Sequence, residues 1–187
     1  MQRKDQSQLR MVCPGQVTAL ASSPDGLWCV GAVADKIHVW QVSTGNLLAV
    51  LSRHYQTVRC LRFTDDGSHF VSAGDDNLVL VWSLARVLQR DSDMPAEPRY
   101  TWTGHSLPVT DLHVGSGGPR ARVATASLDQ TCKLWEMSSG QLLINLVFDS
   151  SVSSVTMDSS EHMLFCGLTN GKILQVNLFE KVIIVKV

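Results

Sequence analysis

An all-β fold, with four-stranded sheets set around an axis as the blades of a β-propeller, is predicted by three observations. Trp40, Trp82 and Trp135 each close a short run of β-branched and apolar residues, KIHVW, LVLVW and TCKLW. Each Trp follows by 23 to 26 residues a valine that opens an earlier apolar strand, Val17, Val58 or Val109. A fourth unit opens at Val152 and places Val176 where the others have Trp. Strand-length runs alternate with Gly, Asp and Pro turn signals, and no stretch carries a clear helical period. A module of roughly 40 residues holding four strands, written about four times, is a propeller signature.

The elements follow in order. The first unit (about 13–52) reads VTALASS, a turn at Pro24-Asp25-Gly26, LWCVGAV, KIHVWQV and LLAVLS. Pro presets φ ahead of that turn, and Gly supplies positive φ. The second (53–84) reads VRCLRFT, a turn at Asp65-Asp66-Gly67, HFVSAG and LVLVWSL. The third (104–147) reads VTDLHV, a Gly-rich turn, ARVATAS, TCKLWEM and QLLINLVF; the fourth (148–187) reads VSSVTMD, HMLFCGL, KILQVNL and KVIIVKV. The polar stretch 85–99, with Arg86, Asp91, Asp93, Pro95 and Pro98, suits an exposed insertion between the second and third blades. Several strands are apolar on both faces, as expected of sheets sandwiched between neighbours.

Composition narrows the function. The 187 residues are 44% hydrophobic and 18% charged, ordinary for a globular chain, with a formal net charge of -1. That balance gives no electrostatic case for nucleic acid or an anionic membrane as the main partner, so direct nucleic-acid binding is not expected. No apolar run approaches the ~18 residues that span a bilayer. The opening MQRKDQSQLR is polar and lacks the apolar core of a secretory signal. Cys13, Cys29, Cys60, Cys132 and Cys166 are scattered without a CxxC pair, which points to a reducing compartment, cytosol or nucleus.

The units resemble WD40 repeats, although the dipeptide that names them is degraded to Trp40-Gln41, Trp82-Ser83 and Trp135-Glu136. In that family a His before a unit's first strand joins a Ser/Thr, an Asp and the Trp in a hydrogen-bonded tetrad. The second unit matches through His54, Ser72, Asp76 and Trp82, and the third matches at the same offsets through His105, Thr125, Asp129 and Trp135. The first unit offers Cys13, Val30 and Ala34 beside Trp40, and the fourth offers Phe148, Cys166, Asn170 and Val176.

Each quartet could pass for hydrolase machinery, since nucleophile, base and orienting carboxylate are all present. The same set occurs twice, however, always tied to a Trp and a strand register. A buried Asp needs hydrogen-bond donors and an indole N–H needs an acceptor, and a linked chain satisfies both. The structural reading is therefore expected, with no catalytic, cofactor or metal residues. His38, His69, His113 and His162 lack metal-ligand spacing. The segment 116–122 lacks the Lys-Ser/Thr of a phosphate loop. An enzyme reading would rest on Asp111 and His113 lining a channel, and the bland reading of that pair is preferred.

The strings VSTGNLLAVLSRHYQTVRCL (42–61), VLVWSL (79–84), ARVATASLDQTCKLWEMSSGQLL (121–143) and EHMLFCG (161–167) resemble one subfamily, the WD-repeat subunits of the rixosome. The resemblance implies a non-catalytic scaffold in pre-rRNA processing and large ribosomal subunit maturation, in nucleoplasm and nucleolus with some in cytoplasm. Implied partners are other rixosome subunits and the pre-ribosomal particle, with a link to chromatin and DNA replication. It also implies an incomplete arc of a larger, seven-bladed propeller, with residues 7–12 as an outer strand. Beyond Phe179 the resemblance stops, which points to a truncated or alternatively spliced product or an incomplete gene model. Both end blades should then carry an uncovered apolar face. The alternative is a WD40 adaptor of a ubiquitin ligase or signalling assembly. Arg86, Asp91, Asp93, Arg120 and Arg122, on the insertion and the Gly-rich turn, are the candidate partner contacts.

Overall fold

Among the described residues, sixteen strands form four antiparallel sheets, each built from four strands consecutive in sequence. The structure is a computed structural model describing residues 11, 13–89, 96–180 and 182–186. Blade 1 holds β1 (Val17–Ser22), β2 (Trp28–Val33), β3 (Lys36–Gln41) and β4 (Leu47–Leu51). Blade 2 holds β5 (Val58–Phe63), β6 (His69–Gly74), β7 (Val79–Ser83) and β8 (Tyr100–Trp102). Blade 3 holds β9 (Val109–Val114), β10 (Arg122–Ser127), β11 (Thr131–Glu136) and β12 (Leu142–Val147). Blade 4 holds β13 (Val152–Met157), β14 (Met163–Leu168), β15 (Ile173–Asn177) and β16 (Val182–Lys186).

Two expectations are corrected here. The stretch 85–99 does not separate blades: it joins β7 to β8, and so lies inside blade 2. It opens on a short helix, α1 (Leu84–Leu88), where no helix was expected. Leu84, Val87 and Leu88 give that single turn an apolar stripe, too short for a period to show in the sequence. Asp91, Asp93 and most of the expected strand at 7–12 lie outside the described residues.

The first strand of every blade is bulged against its second, at Val17/Ala19, Val58/Cys60, opposite Ala126/Ser127, and at Val152/Ser154. A bulge increases local twist and re-aims the side chain it displaces. Two of the displaced residues reach the next blade: Thr18 Oγ1 donates to Val58 O (2.7 Å) and Thr110 Oγ1 to Val152 O (2.6 Å). The Cys60 thiol adds a contact to Thr110 O (3.4 Å), and burial pushes that thiol up to about 12, so it stays a neutral donor.

Among the described residues, three apolar cores seal the seams between successive blades. Val30, Ala32, Leu61, Phe70 and Trp82 meet between blades 1 and 2. Val71, Val79, Leu112, Val123 and Trp135 meet between blades 2 and 3. Ala126, Cys132, Leu164, Cys166 and Val176 meet between blades 3 and 4. Each fully buried aliphatic or aromatic side chain contributes about 1.5–3 kcal/mol, so these seams dominate the stability. Among the described residues, none of these cores joins blade 4 to blade 1. Both end blades carry exposed apolar side chains, with Leu20 (62%), Leu48 (40%) and Val50 (37%) exposed on blade 1. Ile173 of blade 4 is 57% exposed, whereas Trp40 and His38 of blade 1 are buried to 2% and 4%.

Candidate functional site

The two quartets predicted from sequence come together. In blade 2 the Trp82 indole N–H donates to Ser72 Oγ (2.9 Å), and that oxygen lies 2.8 Å from His54 Nε2. His54 Nδ1 faces both Asp76 oxygens, at 2.8 and 3.1 Å. Asp76 also accepts the backbone N–H groups of Tyr55 (2.9 Å) and Leu78 (3.2 Å). In blade 3 Trp135 donates to Thr125 Oγ1 (3.0 Å), which lies 2.8 Å from His105 Nε2, and His105 Nδ1 lies 2.9 Å from Asp129. Asp129 further accepts Ser106 N–H (3.1 Å), Thr131 N–H (2.9 Å) and the Thr131 hydroxyl (2.6 Å).

One assignment uses every donor. An ionised carboxylate only accepts, so the Nδ1–H donates to it, the hydroxyl donates to Nε2, and the indole donates to the hydroxyl. Burial alone would raise the Asp129 carboxyl, but hydrogen bonds from Thr131, His105 and Ser106 overcome it and hold the group at about 2. Burial likewise works against Asp76, and bonds from His54, Tyr55 and Leu78 hold it below the usual carboxylate range. Burial pushes the His105 imidazole down, with the Asp129 carboxylate only partly offsetting it.

The geometry denies these sets an attacking role. A nucleophile needs open space for a substrate atom beside it. Ser72 and Thr125 are fully buried, and the free side of each hydroxyl is filled by an indole. Each set instead ties the connection entering a blade, through His54 or His105, to that blade's second turn, through Asp76 or Asp129.

Blades 1 and 4 do without the tetrad in different ways. Strand register places Gly31 of blade 1, not Val30, opposite His38, as Ser72 sits opposite Leu80 and Thr125 opposite Lys133. The β2–β3 turn is only Ala34-Asp35, with Ala34 at φ 52, and this shortening shifts the sequence offset by one. A Cβ at Gly31 would fall 2.9 Å from the Trp40 ring. His38 fills part of the space by stacking on Trp40, centroids 5.6 Å apart, with its Nδ1 unpartnered among the described residues. In blade 4 the matching residue is Cys166, buried in the same seam core as Cys132; the neighbouring Cys166 thiol and burial together raise Cys132 far above the ordinary thiol range.

The candidate partner contacts separate. Arg86 is exposed on α1, and Arg120 is exposed at the end of a 3₁₀ turn, Gly118–Arg120. Arg122 is half-buried and turned toward Glu161 of blade 4, with Nε 3.8 Å from its carboxylate. Sequence reading missed the group that shapes the Gly-rich turn. The Asp65 carboxylate of blade 2 accepts the N–H groups of Gly117 (2.9 Å) and Gly118 (2.7 Å), both at positive φ. Asp111 is engaged with Val155 N–H (3.1 Å) and lies 3.8 Å from Arg62, while His113 Nδ1 faces Thr156 (3.3 Å). Among the described residues no group of three or more His, Cys, Asp or Glu is placed to hold a metal, and no helix is long and apolar enough to cross a membrane.

Four-stranded blades stapled by His–Ser/Thr–Asp–Trp sets define a WD40 β-propeller. The family model for the WD domain, G-beta repeat, matches residues 7–41, 45–83 and 96–136, and the chain belongs to that family. It is 60% identical over 179 residues to WD repeat-containing protein 18 of Homo sapiens, an alignment covering 96% of this chain and 41% of that protein. It is 38% identical over 175 residues to Pre-rRNA-processing protein IPI3 of Yarrowia lipolytica, covering 91% of this chain and 40% of the relative. The chain thus spans about two fifths of the length of the curated relatives it matches. A solved structure of U3-55K superposes with TM-score 0.78 at 22% identity, covering 95% of this chain and 53% of the other, a likeness of fold.

Proposed function

We propose that the chain acts as a non-catalytic WD40 scaffold in a rixosome-type complex, supporting pre-rRNA processing and maturation of the large ribosomal subunit. The observation that carries this reading is its 38% identity to a relative named for pre-rRNA processing. The 60% identity to human WD repeat-containing protein 18 agrees with it. The geometry supports a scaffold: the acid–base side chains are sealed inside the blades, while Arg86 and Arg120 stand on exposed segments between rigid strands. The two buried quartets serve in this reading as struts, and four consecutive blades act as one binding unit. The partners are other rixosome subunits and the pre-ribosomal particle, with a further link to chromatin and replication. The site of action is the nucleoplasm and nucleolus, with a share in the cytoplasm.

Affinity capture of the tagged chain from nuclear extract tests the reading. Recovery of large-subunit precursor particles with their maturation proteins is the expected result. Recovery of ubiquitin-ligase or signalling components in their place would overturn it and favour an adaptor.

A further inference from the structure

Blade 4 ties its β14–β15 turn to the connection that enters the blade with exposed polar groups in place of a buried quartet. Asn170 stands at the position of Asp76 and Asp129, four residues after Cys166 and six before Val176. Thr169 N–H donates to Ser151 O (2.9 Å), and the Thr169 and Ser150 hydroxyls lie 2.7 Å apart. Lys172 Nζ donates to one Asp149 oxygen (2.8 Å) and Asn170 Nδ2 to the other (3.4 Å). The polarity is the reverse of that in blades 2 and 3. There the turn supplies a carboxylate that accepts the N–H of Tyr55 or Ser106; here the connection supplies it and the turn donates.

Asn170 is followed by Gly171, and both are exposed, whereas Asn46, Asn77, Asn145 and Asn177 are each followed by a leucine. A backbone nitrogen reaches the side-chain amide of the preceding asparagine most easily when its own residue has no side chain to crowd the approach. A Cβ placed at Gly171 would meet no atom within 4 Å, so the space around that nitrogen is open. Lys172 N–H donates to Asn170 Oδ1 (3.1 Å), the oxygen on which negative charge develops when the amide carbon is attacked. The Gly171 N–H must first leave Leu168 O (3.1 Å), and in an exposed turn such local opening costs little.

We propose that Asn170–Gly171 is a self-modifying site, at which the Gly171 nitrogen displaces the Asn170 side-chain amide as ammonia and water opens the cyclic imide that results. The bond from Gly171 N to Asn170 Cγ forms as Cγ–Nδ2 breaks, and the proton lost by Gly171 N leaves with the ammonia. Water adds to either imide carbonyl and gives aspartate or isoaspartate, with no oxidant or reductant involved. Both products place a carboxylate where the amide donated to Asp149, so that contact turns from a hydrogen bond into like-charge repulsion. Isoaspartate also routes the main chain through the former side chain and so lengthens the turn. The site is independent of which assembly the chain joins, so its failure and the failure of the scaffold reading are distinguishable.

The chain, held in warm, mildly alkaline buffer beside a free peptide copying residues 167–174, is mapped by mass spectrometry at each asparagine. Asn170 should lose its amide several-fold faster than Asn46, Asn77, Asn145 or Asn177. The product should accept a methyl group from S-adenosylmethionine when an isoaspartyl methyltransferase is added. Gly171→Ala should slow the loss several-fold. If that variant melts early, because position 171 sits at φ 86, Asn170→Gln carries the same test, since its longer side chain cyclises far more slowly. Asn170→Asp, the product with an ordinary main chain, should melt below the parent, and adding Asp149→Asn should restore the melting temperature. An intact Asn170 after the free peptide has fully converted, or earlier loss at any other asparagine, would overturn the proposal. A product variant as stable as the parent would overturn the effect on the Asp149 contact.

Discussion

Blades 2 and 3 hold their turns with buried polar quartets, while blades 1 and 4 reach the same four-stranded geometry with a glycine and a cysteine in the matching position. The contrast separates what builds a blade from what fixes it. Apolar seams run through all four blades, so burial sets the architecture. The quartets add direction: each bond in the chain from indole to carboxylate has one acceptable geometry, so each pins a turn to a connecting segment. Blade 1 exchanges that for a two-residue turn and a His38–Trp40 stack, and blade 4 for a Cys166 buried in the same apolar seam core as Cys132.

The largest expected effect tests the quartets directly. Asp129→Ala or Asp76→Ala leaves a buried histidine and two backbone N–H groups without their acceptor. Each should lower the unfolding free energy by about 2–3 kcal/mol in urea titration. Asp35→Ala, in the corresponding turn of blade 1, should fall within about 0.5 kcal/mol of the parent. Equal losses at Asp35 and Asp129 would erase the distinction between the blades.

Next come two attempts to install a hydroxyl where none stands. Gly31→Ser places a Cβ against the Trp40 ring and should cost about 1–3 kcal/mol through overpacking. Cys166→Ser buries a hydroxyl with Val176 in place of an indole donor and should cost about 1–2 kcal/mol. A gain in either variant would mean that a hydroxyl alone, without its His and Trp partners, is enough.

The smallest effect is a pH dependence of melting. Burial holds His38, His69 and His105 below their ordinary values, so the unfolded chain takes up protons first. Melting temperature should therefore fall gently from about pH 7 to 5. Asp129 is held at about 2, so its contribution is complete above about pH 4 and is lost as pH falls through about 2. Asp129→Asn should flatten that acid limb, which a pH series of thermal melts can read.

Strand order and both quartets were legible in the sequence because each depends on a fixed local offset: four residues from Ser72 to Asp76, six from Asp76 to Trp82, and the same again in blade 3. The features that escaped depend on pairing between distant segments. Gly31 was hidden by a turn one residue shorter than its neighbours, which moves the offset without changing the register. Helix α1 was hidden by its brevity, and the outer strand β8 by the insertion that separates it from β7. The grip of Asp65 on the Gly117–Gly118 turn spans more than fifty residues and leaves no local pattern, since Asp65-Asp66-Gly67 already reads as an ordinary turn.

Hydrogen exchange at the indole N–H groups, followed one by one, tests the central claim most directly. If the quartets are internal struts, the Trp82 and Trp135 indole protons exchange only through unfolding of the whole domain, at rates that track global stability. Exchange of both within minutes at neutral pH, with the domain still folded, would show open hydroxyls accessible to solvent and contradict the account.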